Sequence, residues 1–221
     1  MTDSARLGGG YATAKLNPQP TADALRAAAL PGSPHARLIV LAGPPGVGKS
    51  CLAQALIELI PESLLIDKDH TAGGFVLEAA VLRGDDADRA YAAEHYWEKL
   101  RPIEYAGPLR QACINLVGRR SVILVGGWGP ELGVAALWTD LQERLSPSRL
   151  CVLHLDPPPL DTWCTRLSAR GSRCDRPYVE QLARHIGQLP VWHQAKRITA
   201  EGSIKTVVQR ALNALNEAPE A

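Results

Sequence analysis

The residues with the most specific chemical potential are Gly43-Pro44-Pro45-Gly46-Val47-Gly48-Lys49-Ser50, which match the spacing of a Walker A phosphate loop. They follow the apolar run Leu38-Ile39-Val40-Leu41-Ala42 and precede the helix-forming Cys51-Leu52-Ala53-Gln54-Ala55-Leu56. The context is therefore strand, loop, helix. The glycines let successive backbone amides turn inward, and the helix N-terminus adds unpaired N–H groups and a partial positive charge. The backbone from Gly43 to Cys51 is predicted to wrap the phosphates of ATP. Lys49 is placed to bridge the β- and γ-phosphates, and the Ser50 hydroxyl to ligate Mg²⁺.

A second cluster, Leu64-Leu65-Ile66-Asp67-Lys68-Asp69-His70, puts two carboxylates at i and i+2 where a strand emerges beside that loop. Read as a continuing strand, alternate residues share a direction. One carboxylate can hold Mg²⁺ through water while the other accepts the proton of an attacking hydroxyl, the two acidic roles that phosphoryl transfer needs. The spacing leaves open which of Asp67 and Asp69 is the base, and a solvated turn is the plainer alternative. His70, next to the pair, is treated as incidental.

Other branches of phosphate-loop chemistry fit less well. An Asn-Lys-x-Asp guanine-reading motif is absent from the sequence. The apolar run Ser121-Val122-Ile123-Leu124-Val125 ends in Gly126-Gly127-Trp128-Gly129 without the acidic pair expected of a mechanical ATPase. Further along lies an arginine-rich stretch, Arg166-Leu167-Ser168-Ala169-Arg170-Gly171-Ser172-Arg173-Cys174-Asp175-Arg176-Pro177. Arg166 and Arg170 are four apart and can share one helix face. A guanidinium is a fixed fork of donors suited to phosphate oxygens. The alternative is a basic helix end favoured by the helix dipole.

With these motifs the chain resembles the P-loop small-molecule kinases, such as shikimate kinase, gluconate kinase and chloramphenicol phosphotransferase, over about residues 37 to 215. The resemblance implies a P-loop kinase-like three-layer α/β sandwich: a mainly parallel five-stranded sheet, helices on both faces and a mobile lid at about 166–177. It implies a magnesium-associated and a substrate-contacting carboxylate at Asp67 and Asp69. It also implies substrate contacts from Gly126, Gly127 and Trp128, which would explain the missing acid. Leu100-Arg101-Pro102-Ile103-Glu104 is similar to the Phe-Arg-x-x-Glu element whose arginine touches the substrate carboxylate in shikimate kinases; pairing of Arg101 with a neighbouring carboxylate is the alternative. In the lid, the resemblance assigns Arg170 and Arg173 to the transferring phosphate and Arg166 to the nucleotide. Arg197 to Ser203 resembles the last strand and turn, which lies against the adenine. The stretch from Thr71 to Lys99 and the bulky Trp128 depart from the compact shikimate kinase pattern.

The expected activity is ATP-dependent transfer of the γ-phosphate to a hydroxyl of a small molecule, an antibiotic or sugar-like metabolite by analogy alone. Its rivals are a nucleotide-gated regulatory or toxin-like module and a polynucleotide-end kinase. A net charge of +1 gives no global field for holding nucleic acid.

The elements that must position these groups read as alternating strands and helices. Strands are predicted at Arg37–Ala42, Ser63–Ile66, Ser121–Val125, Leu150–Leu155 and Arg197–Thr199. Helices are predicted at Cys51–Leu59, Glu104–Val117, Glu131–Leu145, Leu160–Arg170, Tyr178–Ile186 and Ser203–Leu215. Residues 1–35, rich in Gly and Pro, read as a partly flexible arm with one short helix from Thr21 to Leu30, and 36–221 as one kinase domain. With 221 residues, 46% apolar and 21% charged, the chain has the composition of a soluble globular protein. No secretion signal or membrane span is read. Five widely spaced cysteines without a C-x-x-C pair fit a reduced, cytoplasmic setting.

Overall fold

The computed structural model describes residues 14–217. Five strands, β1 (Arg37–Ala42), β2 (Ser63–Asp67), β3 (Ser121–Val125), β4 (Arg149–Asp156) and β5 (Lys196–Thr199), form one sheet in the order β2-β3-β1-β4-β5. All four neighbouring pairs are parallel, with Arg37 opposite both Ser121 and Arg149. Parallel pairing needs crossovers, and these bring helices over both faces.

Alternation along β1 shows how the layers divide. Leu38 and Val40 face one core, with α1 (Gln19–Ala28), α4 (Arg101–Ile114), α5 (Gly129–Leu132) and α6 (Ala135–Leu145). Ile39 and Leu41 face the other, with α2 (Lys49–Leu59), α7 (Leu160–Ala169), α8 (Arg176–Gly187) and α9 (Ile204–Asn216). This is the three-layer α/β sandwich expected, and its sheet is wholly parallel. A smaller cluster joins Val76 and Ala80 of α3 (Lys68–Leu82) to Tyr91, Tyr96 and Trp97.

Three local differences from the sequence reading have physical causes. The strand before Asp67 does not continue: Asp67 caps α3 by accepting from the Asp69 N–H at 3.0 Å, so the two carboxylates meet through a helix cap and not through strand alternation. The stretch 71–99 is largely helical, completing α3 and adding a 3₁₀ segment at Ala87–Ala92 and a π-turn at Tyr96–Leu100. The predicted helix 131–145 is interrupted at Gly133 and Val134 between α5 and α6.

Of the segment read as an arm, residues 1–13 lie outside the described residues. The remainder carries α1, whose Ala22 and Leu25 are wholly buried against the first core, and whose Arg26 pairs with Asp140 of α6 at 2.6 Å. Burial of a leucine such as Leu25 contributes about 1.5–3 kcal/mol, so α1 is integral to that layer. Among the described residues no helix is long and apolar enough to cross a membrane, and all five cysteines are free thiols.

Candidate active site

The phosphate loop leaves the C-terminal end of the central strand β1 and closes onto α2. Its shape depends on glycine at two points in particular. Gly43 has φ +139° and a Cβ there would meet the Leu155 carbonyl at 2.6 Å; Gly46 has φ +78° and a Cβ would meet Leu167 at 2.7 Å. The loop is braced from outside by α7. Trp163 Nε1 donates to the Pro45 carbonyl at 2.8 Å, and Arg166 donates to the carbonyls of Val47 and Ala200 at 3.1 and 3.0 Å. Lys49, first residue of α2, donates from Nζ to the Gly43 and Pro44 carbonyls, both at 2.8 Å. Burial pushes its ammonium down to about 8, with Asp69 and Asp67 opposing the shift and Arg170 adding to it.

Beside the loop is a cleft of about 620 Å³ over the C-terminal ends of β1, β2 and β3. Pro45 to Cys51, Arg166 and Arg170 line one side, and Gly202 and Ile204, after β5, close it. Ser50 Oγ donates to Asp67 Oδ2 at 3.0 Å. A hydroxyl and a carboxylate are the hard oxygen donors that Mg²⁺ takes. Among the described residues no three His, Cys, Asp or Glu form a group that could hold a metal ion.

The opposite side of the cleft comes from side chains scattered over five elements. Lys68, which spacing alone did not single out, is buried and donates to Asp69 Oδ1 at 2.6 Å and Glu104 Oε1 at 2.8 Å. Burial works against its charge, but Glu104, Tyr105 and Asp69 hold it protonated, well above the ordinary lysine value. Burial alone raises the pKa of Asp69; the neighbouring Lys68 ammonium more than reverses this, and Asp69 titrates below the usual carboxylate value. Tyr96 donates its hydroxyl to Glu104 Oε2 at 2.6 Å and accepts from Arg101 at 3.0 Å. Arg101 in turn forms a two-pronged pair with Glu131, Nε–Oε1 2.8 Å and Nη2–Oε2 2.6 Å. The π-turn makes this stacking possible: the Arg101 N–H bonds the Tyr96 carbonyl five residues back, setting one above the other. Tyr91 and Tyr105 complete the wall, and the Tyr105 hydroxyl accepts from the Gly127 N–H at 3.2 Å. Burial pushes all three phenols up, and Glu104 adds to this.

The cleft thus gathers Gly46, Val47, Gly48, Lys49, Ser50, Cys51, Asp67, Asp69, Arg101, Gly126, Gly127, Arg166 and Arg170. Two expected members, Trp128 and Arg173, stand apart, as does the neighbouring Arg176. Trp128 adopts φ +57° and is turned into the first core, edge-on to Tyr105 and Trp138. Arg173 is exposed, paired with Asp175 at 2.5 Å and set over the Tyr178 ring at 4.8 Å. Arg176, also exposed, pairs with Asp161 and Glu180. The residues that sequence reasoning missed are Lys68, Tyr91, Tyr96, Tyr105 and Glu131; Glu104 was noted only as the glutamate of the Arg101 element. One signal could have found part of the set: three of the chain's five tyrosines fall between positions 91 and 105.

A glycine loop after the central strand of a parallel β2-β3-β1-β4-β5 sheet, braced against a helix N-terminus, defines a P-loop nucleotide-binding fold. By sequence the chain matches no known family profile and no curated protein. By structure it is similar to the tunicamycin resistance protein of Deinococcus radiodurans (TM-score 0.54, 18% identity, 83% of this chain and 97% of that one). It is similar also to a gluconokinase from Sinorhizobium meliloti 1021 (0.53, 16%, 85% and 93%). A third similar structure is a sugar kinase from Janibacter sp. HTCC2649 (0.50, 20%, 83% and 96%). The chain has the P-loop kinase-like fold.

Proposed function

We propose that this protein is an ATP-dependent phosphotransferase that moves the γ-phosphate of ATP to a hydroxyl of a small molecule. The observation that carries the reading is the placement of Asp69 between two differently built walls. One of its carboxylate oxygens is held by Lys68, and it lines the same cleft as Lys49 and the phosphate loop. Asp67, by contrast, has both oxygens engaged, one by Ser50 and one by the Asp69 N–H. In this reading Asp67 and Ser50 would hold Mg²⁺, which neutralises charge on the phosphates. Asp69 orients the acceptor hydroxyl and takes its proton as the hydroxyl oxygen bonds to the γ-phosphorus and the bond to the β-phosphate oxygen breaks, releasing ADP.

Lys49, Arg170 and the loop amides face the negative charge of the transferring group, where fixed donors stabilise a transition state most. Arg166 and the Gly202–Ile204 turn bound the nucleotide's base end, and the 166–177 segment acts as a lid. The acceptor is an antibiotic or sugar-like metabolite by analogy with proteins of similar fold.

The test is transfer of label from γ-labelled ATP, with Mg²⁺, to a panel of sugars, nucleosides, antibiotics and an oligonucleotide. Transfer to one small acceptor, reduced in Asp69→Asn by about 10²-fold or more and accompanied by unchanged ATP affinity, is expected. Tight ATP binding with no labelled acceptor would sink the reading in favour of a nucleotide-gated module.

A further inference from the structure

Two cations face the acceptor side of the cleft, and neither has charge to spare. Lys68 lies between Asp69 and Glu104, at 2.6 and 2.8 Å. Arg101, only 2% exposed in its side chain, is clamped by both oxygens of Glu131, itself 0% exposed. The third hydrogen-bonding arm of Arg101 goes to the Tyr96 hydroxyl, whose own proton is committed to Glu104. Three carboxylates therefore answer two cations, and the tyrosines around them stay neutral.

A carboxylate or phosphate brought into this wall meets no uncompensated cation. It loses its water and faces an excess of fixed negative charge, with the ATP phosphates across the cleft. The remaining cations, Lys49, Arg166 and Arg170, lie on the phosphate side, where ATP brings several negative charges of its own. His70 sits exposed at the rim. The wall is backed by the packed rings of Tyr91, Tyr96 and Tyr105, each nearly buried and with its hydroxyl already bonded within the protein, next to Gly126 and Gly127. An aromatic wall whose charges are all paired suits the face of a ring compound, whose hydroxyls are left to Asp69 and the backbone of Gly126 and Gly127.

Building on the phosphotransferase reading, we infer that the acceptor is a hydroxyl-bearing ring compound without any anionic group, either uncharged or amine-bearing. Sugar acids and ring carboxylates are rejected because Glu131 and Glu104 already occupy the cations that would bind them. Arg101, which the sequence offered as a contact for a substrate carboxylate, is here paired with a protein carboxylate.

The test uses acceptors matched in all but charge: glucuronate against glucose and glucosamine, and shikimate against its methyl ester. Each is titrated calorimetrically into the full chain saturated with a non-hydrolysable ATP analogue and Mg²⁺, and each is offered in the label-transfer assay. The neutral or amine-bearing member of a pair is expected to bind at least about tenfold more tightly than the acid, one pK-unit equivalent of differential interaction. An acid that binds as well as its neutral partner overturns the inference, and so does a failure of every neutral and amine-bearing member to bind. Correct binding order without label transfer leaves the inference standing and removes the phosphotransferase reading; transfer to acids alone does the reverse. Glu131→Gln, checked for folding by its melting transition, should narrow the discrimination against acids by about tenfold. If that variant does not fold, the matched pairs in the unaltered protein decide the matter.

Discussion

The two walls of the cleft are built in opposite ways. The phosphate wall is built on one continuous stretch, 43–51, whose work is done by backbone amides, glycine dihedrals and a helix end, with Lys49 as its own charge and only Arg166 and Arg170 added from the end of α7. The acceptor wall is side chains only, drawn from the start of α3, the 3₁₀ segment, the π-turn, α4 and α5, and tied together by two buried ion pairs. Backbone chemistry recognises any triphosphate and can sit on a short motif. A wall of paired side chains selects by shape and charge, and its groups must be folded together before any of them has its partner. Changes to the first wall should therefore cost activity with little stability; changes to the second should cost stability as well.

The sharpest way to break that contrast is Arg101→Met. It leaves Glu131 unpaired in a fully buried position, and breaking one side of a buried pair costs about 3–5 kcal/mol. Urea denaturation should show that loss. The double variant Arg101→Met/Glu131→Leu should regain most of it, because a fitted apolar pair replaces a buried ionic one at little net cost. A double variant as unstable as the single one would mean that the pair is not the source of the effect. Next in size is Lys49→Met, which should lower phosphoryl transfer by about 10²–10³-fold, the typical effect of removing one transition-state donor. Its melting temperature should not fall, since burial already disfavours the charge that is removed. A large loss of stability here would erase the difference between the walls.

The same contrast governs what could be read from the sequence. Strand, glycine loop and helix are contiguous, so spacing alone located residues 43–51, and short apolar runs located the strands, the run at Arg197–Thr199 giving the weakest signal. Asp67 and Asp69 were found, but their relation was misread: Gly73 and Gly74 obscured α3, and the i, i+2 spacing looked like a strand when it was a helix cap. Arg101 and Glu131 are 30 residues apart, and no periodicity links them; only the fold brings their forks together. Trp128 was drawn toward the substrate by the glycines before it. Its positive φ turns the ring into the core instead, a backbone state that residue type does not announce.

A third prediction concerns pH. The Lys49 ammonium of the free protein titrates near 8, whereas phosphates bound against it must hold it protonated and raise that value. A group whose pKa rises on binding takes up a proton when pH lies between its free and bound values. The affinity for ATP should thus be flat below about pH 8 and weaken above it by up to about tenfold per pH unit. Titration calorimetry in buffers of different ionisation enthalpy should detect proton uptake only above that point. Lys49→Met should bind ATP weakly with no such break. A flat profile to pH 10 would mean that Lys49 keeps its proton without help from ligand, and that burial is a smaller force in this wall than in the other.

The smallest effect separates two arginines three residues apart. Arg170 lines the cleft, and its removal should slow transfer by about tenfold or more, as loss of a phosphate-facing donor does. Arg173 is turned outward, bound to Asp175 and lying over Tyr178, and Asp175 itself caps α8 by accepting from the Tyr178 N–H. To reach a phosphate, Arg173 would have to leave a carboxylate that is already committed to the start of a helix. Arg173→Ala should accordingly change kcat/KM by less than about threefold, within the range of exposed ion pairs. Should it instead slow transfer as much as Arg170→Ala while leaving ATP binding intact, the 166–177 segment must swing far enough during turnover to trade Asp175 for the γ-phosphate. The phosphate wall would then depend on an arginine that only a moving segment can bring in, and not only on Arg166 and Arg170, which already line it.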